Sequence, residues 1–231
     1  VNPQIATGIQ EAQIYGEKGE TEKMFNAYLD MIELNEEYLS SIQRYTAPFV
    51  TDDPADKNNL LYRKILLQRA QNNPKNAYNQ LLSWLFVQQK QYDKALVQEK
   101  SIFNRTQENS QKIVELGIIA LDNKDLLTAK DAFLFVLDNN NNEQVYLTIK
   151  NYLFQTEIAL AANEANFLAI EKEFDAFFEE FGMQSKTVPI QLTYADYLTF
   201  QKNRPKEAIA LLQNGLNLPV SNLVKGTVKV K

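Results

Sequence analysis

The chain has 231 residues, 45% hydrophobic and 23% charged, with a net charge of −5, 7 Gly, 7 Pro, no Cys and no His. It therefore lacks the commonest catalytic base, the thiolate nucleophile, the usual zinc ligands and any disulfide. Mild acidity disfavours nucleic acid as a partner, no apolar run reaches membrane-spanning length, and the scarcity of glycine disfavours turn-dense β folds and phosphate-cradling loops.

In chain order, nearly every segment carries helical periodicity. Ile5, Ile9, Ala12 and Tyr15 recur at spacings of four and three, and Met24, Phe25, Tyr28, Met31 and Ile32 follow after Gly16-Glu17-Lys18-Gly19. The pattern continues through Leu39 and Ile42 to Thr46, as one long helix or as two broken near Asn35. Pro48 to Pro54, with Asp52 and Asp53, reads as a loop. Leu60, Leu61, Ile65, Leu66 and Ala70 form the next helix. Further helices are expected over 75–89, 93–105, 111–121, 126–137, 144–161, 166–181, 188–200 and 206–216, with Gly182 ending the helix before it. Asn2-Pro3, Asn73-Pro74 and Asn203 to Pro205 are expected to supply caps and first turns. The single candidate strand is 227–230.

The paired helices share a period. Leu82 to Leu116, Tyr92 to Leu126, Ala95 to Ala129 and Ile102 to Val136 are each 34 residues apart. Leu116-Gly117 is followed by Ala129 thirteen residues after the Leu and by Phe133 four later. Leu82-Ser83, Phe86 and Ala95 match in the preceding unit, with Glu99 in place of the second aromatic. Ala12, Tyr15, Gly19, Met24 and Tyr28 fit near the N-terminus, and Asn203 to Ala208 fit the turn of the last pair. Small residues at Ala95, Gly117, Ala129 and Ala208 suit the closest approach of two helices. Met24 to Ala95 exceeds two periods by three residues, assigned to the loop at 48–54; Ala129 to Ala208 exceeds two by eleven, assigned to lengthened helices between Glu143 and Phe181.

This pattern resembles the tetratricopeptide repeat, best over 75–108 and 109–142, and Ala95 to Gln107 is similar to divergent, often exported bacterial repeat proteins. The resemblance implies an all-α, right-handed solenoid of about six antiparallel helix pairs over 1–231. Val1 in place of Met, and no stop after Lys231, lead us to expect a segment of a longer array.

The resemblance also implies a protein or peptide partner on the concave face lined by first helices, with no cofactor and no metal. The implied positions are Gln80, Trp84 and Gln88, then Gln111, Val114, Ile118 and Asp122, with Tyr197 and Gln201 in the last pair. A chaperone-tail clamp is not expected, because Gln80, Trp84, Gln111 and Glu115 stand where such repeats clamp a terminal carboxylate with Lys, Asn and Arg. Asp52, Asp53 and Asp56 read as turn and cap residues, Glu179-Glu180 as an exposed face, and the stripe from Phe167 to Phe181 as core. With no nucleotide-binding or nucleophile motif, a non-catalytic scaffold is expected. A structural spacer is the alternative, and the regulatory arm of an enzyme the weaker one.

Overall fold

A computed structural model describes the backbone of residues 3–230 and the side chains of 7–222 and 225–229; Asn2 and the side chain of Ile5 lie outside it. The described residues are all-α, and consecutive helices pack in pairs, as Pro3–Glu17 on Thr21–Leu34, Asn76–Gln88 on Tyr92–Thr106, Leu126–Asp138 on Glu143–Leu160 and Val188–Phe200 on Pro205–Asn217. The chain divides into two compact units, Val1–Lys112 and Ile113–Lys231.

The first unit holds α1 (Pro3–Glu17), α2 (Thr21–Leu34), α3 (Leu39–Thr46), α4 (Lys57–Asn72), α5 (Asn76–Gln88) and α6 (Tyr92–Thr106). α1 packs on α2, α4 on both α2 and α5, and α5 on α6. Residues 21–46 are two helices. Asn35 is extended at φ −162°, and its side chain accepts from the Glu37 amide at 2.9 Å, which opens a 3-10 turn at Glu36–Tyr38. The core is built on Tyr62, which stacks on Phe25 with ring centroids 4.4 Å apart, and on Met24, Leu29 and Ile32.

The loop before α4 is organised by Asn59, a buried side chain that sequence patterning did not single out. Its Nδ2 donates to the Thr51 carbonyl at 2.9 Å and its Oδ1 accepts from the Thr51 amide at 3.2 Å. Asp56 caps α4, accepting from the amides of Asn58 at 2.8 Å and Asn59 at 3.3 Å. Asp53 accepts from the Ala55 amide at 2.9 Å, so both aspartates serve the turn. Asp56→Ala is expected to lower stability by about 1 kcal/mol, as measured by urea unfolding. Asn73 differs from its expected part: it ends α4 as C-cap and donates to Glu33 at 2.8 Å, while Lys75 precedes α5 without a side-chain cap bond.

The second unit holds α7 (Gln111–Asp122), α8 (Leu126–Asp138), α9 (Glu143–Leu160), α10 (Glu164–Phe181), α11 (Val188–Phe200), α12 (Pro205–Asn217) and α13 (Asn222–Val230); α7 begins two residues before the boundary. α9 and α10 are 18 residues each against 12 and 13 for α7 and α8, so the helices between Glu143 and Phe181 are lengthened as expected. The phenylalanine stripe is core: Phe174 is fully buried, stacked on Phe154 at 3.9 Å and packed against Tyr194 at 4.5 Å. The candidate strand at 227–230 is helical instead. It lies in α13, where Val228 is buried beside Gly215 of α12, and burial outweighs the β preference of Thr227 and Val228.

Three turns have one geometry. Gly19, Lys90 and Lys124 are the middle residues of three-residue links and have φ of 73°, 55° and 64°. Each link closes with an amide-to-carbonyl bond five residues back: Glu20 to Tyr15, Gln91 to Phe86, and Asp125 to Ala120, all at 2.9 Å. Such a closure satisfies the last carbonyls of the first helix. The α11–α12 link is one residue longer. Asn203 is its left-handed residue at φ 52°, and the Arg204 amide reaches six residues back to Leu198 at 2.8 Å. In all four hairpins the second helix then starts alike, with Met24, Ala95, Ala129 and Ala208 donating to the residue four before.

Candidate partner-binding surface

Turn geometry sets the register of each first helix. Counted back from the three-residue links, Ser83 and Gly117 are equivalent, and both are buried where the second helix crosses. A Cβ on Gly117 would stand 2.7 Å from the Phe133 ring and 3.1 Å from the Ala132 Cβ. Ala12 in α1 and, after allowing for the longer link, Ala195 in α11 are the matching small buried residues. The outward positions follow one residue after each small residue, about 100° round the helix, and recur from there at four-residue steps.

In the first unit those positions are Gln80, Trp84 and Gln88 on α5. Gln80 and Gln88 are exposed and Trp84 is half-buried, while Tyr78, Leu81, Leu82, Leu85 and Phe86 fill the core side. Gln111 is exposed at the start of α7, where its amide donates to Asn109 Oδ1 at 2.8 Å. In the second unit Val114 and Ile118 are half-buried and Asp122 is exposed along one face of α7; Ile113, Leu116 and Gly117 face the interior.

On α11 the expected positions are out of phase by one residue. Tyr197 is only 1% exposed; its hydroxyl donates to the Phe167 carbonyl at 2.7 Å and its ring lies 5.9 Å from that of Phe174. Burial is the main cause pushing the Tyr194 and Tyr197 phenols up to about 12, assisted by nearby acids such as Glu171, so both remain neutral in ordinary buffers. Tyr197 is therefore buried, and with Gln201 it is among the residues that line the groove between α9 and α11, from the buried side. The cause is the extra residue of the 201–204 link, since one residue rotates a helix by about 100°. Leu192, Asp196 and Phe200 take the outward positions, and Gln201, exposed, belongs to the link itself.

These residues meet α9 in a groove of about 460 Å³. Asn151, Gln155 and Ile158 form the α9 wall at spacings of four and three, and Leu192, Asp196 and Phe200 form the α11 wall. Thr193 ties the walls together, donating to Asn151 Oδ1 at 2.7 Å. Phe200 is 76% exposed at the far end, and Gln201 lines the groove beside it. The buried residue of the lining, Tyr197, belongs to one core cluster with Phe154, Phe174 and Tyr194. The walls combine carboxamides, which both donate and accept, with apolar side chains and one carboxylate, Asp196. Such a surface can hold an uncharged stretch of polypeptide by backbone hydrogen bonds and one apolar anchor. Val114, Ile118 and Asp122 are not among the residues lining it.

Sequence reasoning missed Asn151, Gln155, Leu192, Asp196 and Phe200. Asn151 and Gln155 carried a signal, two amides four apart in a helix, but α9 is too long for the 34-residue register to reveal its outward face. Glu179 and Glu180 are both exposed. α13 lies on α12 and contributes no described residue to the groove. No protein-family model and no curated protein matches the chain.

Proposed function

We propose that the protein is a non-catalytic scaffold of tetratricopeptide-like helix pairs that binds a protein segment along the outward faces of its first helices. The groove between α9 and α11 carries this reading: two first helices stand side by side, and residues of both line one cleft. The repeated turn geometry and the 34-residue spacings support the repeat character. The spacer alternative would have the chain's own last helix fill this face, and α13 packs on α12 instead.

The partner's chemistry follows from the walls. An extended segment with few charges is held by Asn151 and Gln155 through its backbone, and an apolar side chain covers Phe200. A photo-crosslinking amino acid placed at 200 is expected to yield a discrete adduct in the native host, and one placed at Leu127, exposed on the second helix α8, is not. The double variant Gln155→Ala/Phe200→Ala is expected to lower recovery of that adduct's partner about tenfold, the effect of losing one anchor and one hydrogen-bonding group. Equal adducts at 127 and 200, or unchanged recovery, would refute the assignment. Trp84→Ala tests the α5 face in the same way.

A further inference from the structure

The negative charge of the chain is not spread evenly. Residues 1–37 contain eight carboxylates and two lysines, a net −6, so the whole of the remainder carries +1 against the chain's total of −5. The structure folds this acidic stretch into α1, α2 and the turn after α2. There it borders a groove of about 930 Å³ whose far wall is the start of α4. The lining holds Ala27, Met31, Leu34 and Leu61 as an apolar strip, with Leu34 56% exposed although it is a large hydrophobic side chain. Four of the eight acids line the groove, and two of these four are already engaged: Glu20 by Lys23 at 2.5 Å and Asp30 by Arg69 at 2.6 Å. Glu11 accepts a neutral hydrogen bond from the Tyr15 hydroxyl at 2.9 Å, and Glu22 is exposed; both line the groove. Lys57 stands on the α4 wall.

We propose that this groove docks a basic amphipathic segment of a partner protein. Its apolar face would cover Leu34, Ala27 and Leu61, and its lysines or arginines would reach the Glu11 and Glu22 lip. Charge complementarity selects this occupant, because an apolar strip beside an acidic lip disfavours an acidic helix and leaves a neutral one without its polar contacts. The site is separate from the α9–α11 groove, and it stands or falls independently of the function proposed above.

The test uses the full chain and two labelled amphipathic peptides, one of leucine and lysine and one of leucine and glutamate, with fluorescence anisotropy as readout. The lysine peptide is expected to bind and the glutamate peptide not. Raising salt from ~50 to ~300 mM is expected to weaken binding about tenfold, because the pairs at the lip are exposed and screened. Glu11→Gln/Glu22→Gln and, separately, Leu34→Ser are each expected to weaken it about fivefold or more, as for truncated interface contacts. All three positions are exposed, so the fold is retained, as circular dichroism will report. The control Glu179→Gln/Glu180→Gln removes the same charge from an exposed face of α10 and is expected to leave binding unchanged. If the control weakens binding as much as the groove variants, binding follows net charge alone and the proposal fails. It fails equally if the lysine peptide does not bind at ~50 mM salt, or if Leu34→Ser has no effect.

Discussion

Replacing Phe174 by alanine is expected to destabilise the protein by about 4 kcal/mol, in the range for a large aromatic cut from a closed core. The ring is fully buried and lies within 3.9 Å of Phe154 and 4.5 Å of Tyr194, centroid to centroid, with Phe178 and Tyr197 around it at 6.3 and 5.9 Å. These rings come from three helices, α9, α10 and α11, so no single helix can relax to fill the space. Phe174→Leu retains most of the apolar volume and is expected to cost roughly half as much. Both can be measured by chemical unfolding with matched slopes. A loss below about 1 kcal/mol for the alanine variant would mean that this cluster does not hold α9 and α11 together under the groove, where Tyr197 packs against Phe174.

Helix positions were legible in the sequence because apolar residues recur at three and four, and because the 34-residue spacing repeats through two whole pairs. Register was legible only where the links keep their length. Over α5 and α7 the expected residues Gln80, Trp84, Gln88, Val114, Ile118 and Asp122 are all exposed or half-exposed, as are Lys112, Glu115 and Ile119 beside them. In the last pair the expected Tyr197 and Gln201 lie one residue beyond the outward side, because one extra residue in the 201–204 link is invisible to spacing alone. A signal was present: Ala195 is a small residue flanked by Tyr194 and Asp196, as Gly117 is the small residue after Leu116. Anchoring α11 on that small residue selects Leu192, Asp196 and Phe200. The groove at α1 and α2 was hidden for a different reason. Its charge is diluted in the total of −5, and only the fold shows that the acids border an apolar strip.

Gly117 offers the sharpest test of the shared hairpin geometry. Gly117→Val is expected to lower stability by about 3 kcal/mol, the upper part of the range for overpacking. The new Cβ alone would meet the Phe133 ring at 2.7 Å and the Ala132 Cβ at 3.1 Å, and the Val γ-carbons add bulk to the same crossing of α7 and α8. Gly117→Ala adds only the Cβ. Part of its steric cost is offset by the gain of about 1 kcal/mol from replacing glycine inside a helix, so a net loss of no more than about 1 kcal/mol is expected. Gly226 in α13 is the internal comparison, because nothing lies within 4 Å of a Cβ there. Gly226→Ala carries the same helix gain without the clash and is expected to stabilise by up to about 1 kcal/mol. Thermal unfolding of the three variants separates the terms. The opposite signs at 117 and 226 isolate the steric contribution, and the step from Ala to Val at 117 measures how closely α7 and α8 approach. If Gly117→Val unfolds at the wild-type midpoint, the small residue is not what holds the two helices together. The register drawn from it, including the placement of Leu192, Asp196 and Phe200 on the outward face, then loses its basis.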